Sequence, residues 1–100
     1  MVIVEGHITV DPEQRESYVA GRMSIVERAR RADGCPDFAI TADVLDPGRV
    51  NLTERWESQV AVETFCRSGP SNKQRAAMLS VSVAEYDIDE VRPLSGKGRT

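Results

Sequence analysis

Three observations in the sequence predict an α+β fold with the element order β-α-β-β-α-β. Apolar residues alternate with period two in four separate stretches, and two intervening stretches repeat near the helical period of 3.6. Nearly every change of period falls at a proline, a glycine or a capping residue. The order is the split-βαβ, ferredoxin-like plan, in which both helices cover one face of a four-stranded antiparallel sheet. Residues 1–93 are expected to form this one domain and 94–100, polar and glycine-rich, a flexible tail.

The first strand is VIVEGHITV, residues 2–10, with Val2, Val4, Gly6, Ile8 and Val10 on one face. Ile3, Glu5, His7 and Thr9 take the other face, as strand pleating requires. Asp11, Pro12 and Gln14 form a helix start, Asp11 as cap and Gln14 reaching back as in a capping box. Tyr18, Val19, Met23, Ile25, Val26, Ala29 and Ala32 then make an apolar stripe for one long helix, which Gly34 and Pro36 end. Arg22, Arg28, Arg30 and Arg31 read as a solvated face that complements the helix dipole near its C-terminal end.

Period two returns with Phe38, Ile40, Ala42 and Val44. The segment Asp46-Pro47-Gly48-Arg49 supplies a tight turn, and Val50, Leu52, Glu54 and Trp56 share a face of the next strand. Ser58 caps a short helix with Val60, Ala61, Phe65 and Cys66 at helical spacing, stopped at Gly69-Pro70. A second helical piece is expected to include Ala76, Ala77, Met78 and Leu79. The last strand begins near Val81, with a change of parity at Val83-Ala84 that reads as a bulge.

The face opposite the helices would carry Ile3, Ala39, Leu45 and Val83 or Val91 among Glu5, His7, Thr41, Thr53 and Arg55. That is too mixed for a monomer core and rather apolar for bare surface, so a symmetric homodimer packed through these faces is expected.

Composition narrows the function classes. One hundred residues support a single core, and a formal net charge of -3 argues against a nucleic-acid footprint. No apolar run approaches the roughly 20 residues of a membrane span. The first residues lack the basic and small-residue signature of a secretory leader, so a cytoplasmic location is expected. Two cysteines, Cys35 and Cys66, are neither a redox pair nor a zinc set and read as reduced, packed thiols. With His7 the single histidine, no metal site is expected.

Glu54 is the unusual residue, a carboxylate in an apolar row that must find partners or take up a proton. His7 is the other candidate for acid-base work because of its pKa of about 6.5, although strand parity places it on the face away from Trp56. Trp56 reads as a pocket wall or as core, and Gly6 as a place of close approach or a bulge.

The element order, the Gly34-Cys35 ending after the first helix, and above all the stretch Thr53 to Ser58, TERWES, with the helix down to Ser68, resemble the antibiotic biosynthesis monooxygenase family. Its small quinol-monooxygenase-like members are the most similar, over about residues 2–93. The resemblance implies a dimeric α/β barrel with a pocket in each subunit between sheet and helices. It also implies oxidation of a quinol, anthrone or similar polycyclic phenol by molecular oxygen without a cofactor. On this reading Glu54 and His7 are the candidate catalytic residues, and Trp56, Leu52, Gly6 and Phe65 line the substrate site. Phe65 stands where many relatives carry a histidine, which leaves haem chemistry without an axial imidazole from that helix. Leu52 and Val62 stand where some anthrone oxygenases carry asparagine and tyrosine. Two other readings use the same scaffold: a dimeric barrel that binds a small hydrophobic ligand without turnover, and an oxygen-independent isomerase or cyclase.

Overall fold

In a computed structural model of the chain, residues 1–66 and 77–95 are described. Strand β1 spans Val2–Val10, and a 3-10 turn at Pro12–Gln14 leads into helices α1, Arg15–Gly21, and α2, Met23–Arg31. Strands β2, Asp37–Ala42, and β3, Arg49–Trp56, follow, then helix α3, Gln59–Cys66, and strand β4, Met78–Asp87. The four strands form one antiparallel sheet in the order β2-β3-β1-β4, the ferredoxin-like arrangement.

The predicted starts and stops are made by the expected chemistry, with two changes. Asp11 Oδ1 accepts from the Glu13 N–H at 2.9 Å, but the reciprocal Gln14 side-chain bond is replaced by a turn bond in which the Gln14 backbone N–H donates to the Asp11 carbonyl. The single long helix is two, broken at Arg22, whose φ of -96° and ψ of -3° close α1. Gly21 explains the break: a glycine inside a helix costs about 1 kcal/mol relative to alanine. Gly34 follows α2 at φ 79°, and its carbonyl accepts the Glu57 N–H at 2.8 Å, joining that corner to the end of β3. Ser58 caps α3 through Oγ, which accepts from Ala61 N–H at 3.2 Å.

Other details differ from the periodicity. Val44 is 94% exposed and lies past the end of β2, where Asp43 Oδ2 accepts from the N–H groups of Leu45 and Asp46 to build the hairpin loop. In α3 it is Val62 that is buried while Val60 faces out. Met78 and Leu79 belong to β4 and not to a helix; Gly69, Pro70 and Ala76 lie outside the described residues. The β1–β4 register runs unbroken through Val83 and Ala84, and the irregularity sits instead between Thr9 and Val10. Val83 therefore faces the helices, and Ala84 and Tyr86 take its expected place on the open face beside Ile3 and Ala39. Leu45 falls outside the strands, and Val91 lies beyond β4. Of the expected tail, Leu94 and Ser95 are exposed and residues 96–100 lie outside the described residues.

The helix side of the sheet is built in rows. Phe38, Glu54, Val4 and Glu85 form one; Ile40, Leu52, Gly6 and Val83 the next; Ala42, Val50, Ile8 and Val81 a third. Two buried clusters flank the middle row: Val2, Ala29, Phe38, Trp56 and Val62 on one side, Ile8, Val10, Tyr18 and Val50 on the other.

Gly6 interrupts the row between them. Its φ is 155°, and a Cβ there would collide with the Ser82 carbonyl oxygen and lie 2.7 Å from Val83 Cα. Glycine is thus required by the approach of β4. Gly6→Ala is expected to destabilise the fold by at least about 2 kcal/mol, from backbone strain and overpacking together. A thermal melt by circular dichroism checks this.

Candidate functional site

Glu54 is the only acidic side chain that β3 contributes to the helix face, one row from Trp56. The Trp56 indole N–H donates to Glu54 Oε1 at 2.8 Å, a bond that fixes the carboxyl and favours its charged form. Burial acts more strongly in the opposite direction. Together with the neighbouring Glu85 it pushes the Glu54 pKa up from the ordinary carboxylate value, while Trp56 and the Arg22 charge only moderate the rise. Glu54 is therefore a better proton acceptor than a carboxylate in water.

Trp56 has no exposed surface. Phe38 meets its ring edge-on at 6.4 Å and Phe65 lies tilted at 5.2 Å. Arg28 lies 5.4 Å above the Phe65 ring, a cation–π contact that anchors α3 to α2. Leu52 lies between the Glu54 and Val50 rows, opposite Gly6. The strand register thus brings Glu54, Trp56, Leu52 and Gly6 to neighbouring positions, and packing adds Phe65. Because Trp56 is wholly buried, its influence on a bound molecule runs through Glu54 and the shape of the aromatic cluster.

His7 is not among them. It pairs across the sheet with Asn51 and Ser82 and faces away from the helices, as its parity requires. There it lines a depression of about 360 Å³ with Glu5, Arg49, Ser82 and Tyr86, and Gly6, although its register position is on the helix side, also borders this depression. The two candidate catalytic groups lie on opposite faces and cannot serve one reacting atom.

The sequence reading missed polar groups on the helix side. Tyr18, expected only as part of an apolar stripe, is 6% exposed, and its hydroxyl has no hydrogen-bond partner among the described residues. Burial raises its pKa, with Arg22 opposing. Arg22 was expected on a solvated face, yet its Nε is buried and its charge reaches both Tyr18 and Glu54. Glu85 joins them across β1. The i, i+4 spacing of Tyr18 and Arg22 was the available signal: it puts both on one side of a helix that must cover the sheet.

Among the described residues no group of three or more His, Cys, Asp or Glu side chains is placed to hold a metal. No helix among them is long and apolar enough to cross a membrane. Cys35 is a free thiol, half-buried, whose Sγ lies 3.4 Å from the Asp37 carbonyl oxygen and whose pKa is raised chiefly by burial, consistent with packing.

The model of the family "Antibiotic biosynthesis monooxygenase" matches residues 1–77. The chain belongs to the antibiotic biosynthesis monooxygenase family. A relative from Bacillus subtilis (strain 168), "Putative monooxygenase YcnE", is 24% identical over 63 residues, which span 63% of this chain and 66% of that protein, just under two thirds. A crystal structure from Deinococcus radiodurans, described as "a putative antibiotic biosynthesis monooxygenase", superimposes with a TM-score of 0.82 at 22% identity. That match covers 96% of this chain and 100% of the other. Rv0793 from Mycobacterium tuberculosis gives a TM-score of 0.69 at 24% identity over 94% of this chain and 98% of the other. At such identities these structures establish the fold shared with the monooxygenase family, and the chemistry has to be argued from the site.

Proposed function

We propose that this family member is a cofactor-independent monooxygenase for a quinol, an anthrone or a similar polycyclic phenol, with Glu54 as the proton acceptor. One arrangement carries the reading. A half-buried carboxyl with raised proton affinity is held by an indole N–H beside the apolar Leu52, which pairs with Gly6 across the sheet.

The reaction needs no outside reductant, because the substrate supplies all the electrons. An anthrone CH₂ with one O₂ gives a C=O and one water; a hydroquinone gives a hydroxyquinone and one water. Glu54 takes a proton from the substrate. The resulting anion passes an electron to O₂, and the radical pair joins in a carbon–peroxide bond. The proton on Glu54 then returns to the outer peroxide oxygen. Loss of the remaining proton from that carbon and cleavage of the O–O bond release water and leave the carbonyl. Leu52 and Phe65 supply apolar walls, Gly6 lets β4 close in beside them, and Trp56 positions Glu54.

On this reading the open sheet face, with Ile3, Ala39, Ala84 and Tyr86 around His7, pairs with the same face of a second copy. His7 then belongs to a subunit interface. Sedimentation at micromolar concentration is expected to show a dimer, and a monomer alone would remove the barrel assembly.

The test of activity is oxygen consumption by the purified protein with a panel of hydroquinones and anthrones, corrected for spontaneous oxidation. A saturable, protein-dependent rate is expected. Tight binding without consumption would favour a ligand-binding barrel, and equal product formation under nitrogen an isomerase or cyclase.

A further inference from the structure

Glu54 as a lone base leaves the transfer far uphill. A phenol of pKa about 10 and a carboxylate of about 4.3 are roughly six units apart in water, so the oxygen that becomes negative needs donors of its own. The helix layer holds one unbonded hydroxyl and one nearby positive charge. The Tyr18 hydroxyl is buried without a partner among the described residues, whereas buried hydroxyls are normally bonded. Burial also keeps it protonated, a donor and not a base. Arg22, four residues on, carries a positive charge that favours the ionised forms of both Tyr18 and Glu54. Between the Tyr18 cluster and the Glu54 row lies the middle row of the sheet, where Gly6 offers no side chain.

We infer that Tyr18 Oη and the Arg22 guanidinium form an oxyanion site facing Glu54 across the Gly6 row. They hold the phenolic or enolisable carbonyl oxygen of the substrate as its anion. This rests on the reading of Glu54 as the base, and it fixes the feature a substrate must present: an acidifiable oxygen on a flat aromatic frame. In the step a substrate O–H or activated C–H bond breaks, its proton forms an O–H bond on Glu54, and the electron pair is delocalised onto the held oxygen. Tyr18 donates a hydrogen bond and keeps its proton, and Arg22 stays charged. No electron leaves the substrate until oxygen arrives.

The test uses the full chain and 2-hydroxyanthraquinone, an already oxidised polycyclic phenol whose phenolate absorbs in the visible. Its pKa when bound is expected to fall by at least about one unit, a tenfold preference for the phenolate. Tyr18→Phe is expected to cut that preference at least about threefold and Arg22→Gln to abolish it, with Arg22→Lys restoring part. Circular dichroism of each variant confirms folding. Residues that only shape the pocket would weaken phenol and phenolate alike and leave the bound pKa where it was. An unshifted or raised pKa overturns the inference, as does a lowered pKa that both variants retain, or a folded wild type that fails to bind the probe at any pH. A lowered pKa without oxygen uptake on the quinol and anthrone panel upholds the oxyanion site and removes the monooxygenase reading. Oxygen uptake with an unshifted probe does the reverse.

Discussion

Glu54→Gln is expected to lower kcat/KM for oxygenation by at least about 100-fold, the lower end of what a positioned general base contributes. The substitution keeps the shape of the side chain, and the amide oxygen can still accept the Trp56 N–H, so the aromatic cluster is retained. What disappears is the ability to take a proton. In the unsubstituted chain kcat/KM should rise with pH along a limb set by Glu54, placed above the ordinary carboxylate range because burial raises that pKa. The limb should vanish in the variant. Stability should move the other way. The native state holds the Glu54 proton more tightly than the unfolded chain does, so its contribution is present at low pH and lost as pH rises from the ordinary carboxylate value through the raised one. Glu54→Gln is therefore expected to melt no lower than wild type at pH 8. A variant that melts lower there, or keeps the pH limb, would contradict the role assigned to the carboxyl.

Trp56→Ala is the second large effect. Removing a wholly buried indole leaves a cavity beside Phe38 and Phe65, and such truncations cost about 3–5 kcal/mol. At about 4–8 °C per kcal/mol for a domain near 100 residues, the melting temperature should fall by at least about 12 °C. Trp56→Phe separates packing from hydrogen bonding. It fills most of the space but cannot donate to Glu54, so the carboxyl pKa should climb further and the limb in kcat/KM should shift to higher pH. His7→Ala, on the other sheet face, should leave ligand affinity nearly unchanged while Trp56→Ala weakens it strongly. The opposite order would contradict the assignment of faces.

Much of this was legible from period and parity alone. Alternation in residues 2–10 and 50–56 assigns Glu54 and Trp56 to one face and His7 to the other, and the strand register agrees residue by residue. The odd carboxylate in an apolar row pointed to Glu54 because burying a charge demands a reason. Tyr18 and Arg22 were legible only as neighbours on one side of the first helix, not as polar groups buried against the sheet. A tyrosine in an apolar stripe and an arginine on a helix both have ordinary explanations, and only packing against the sheet shows which polar atoms are buried. The break at Arg22 is hidden in the sequence because apolar spacing continues across Gly21, although glycine weakens a helix locally. Met78 and Leu79 fit a helix by propensity, but pairing with Val10 draws Met78 into the edge strand.

The central claim is that one atom of molecular oxygen enters the substrate at the expense of the substrate's own electrons. The most direct measurement is turnover of an anthrone under ¹⁸O₂ by the purified protein with no added reductant, followed by mass spectrometry of the product. The account predicts one labelled oxygen per product molecule, one O₂ consumed per product, and loss of both in Glu54→Gln. Product without label, or product formed at the same rate under nitrogen, would contradict it.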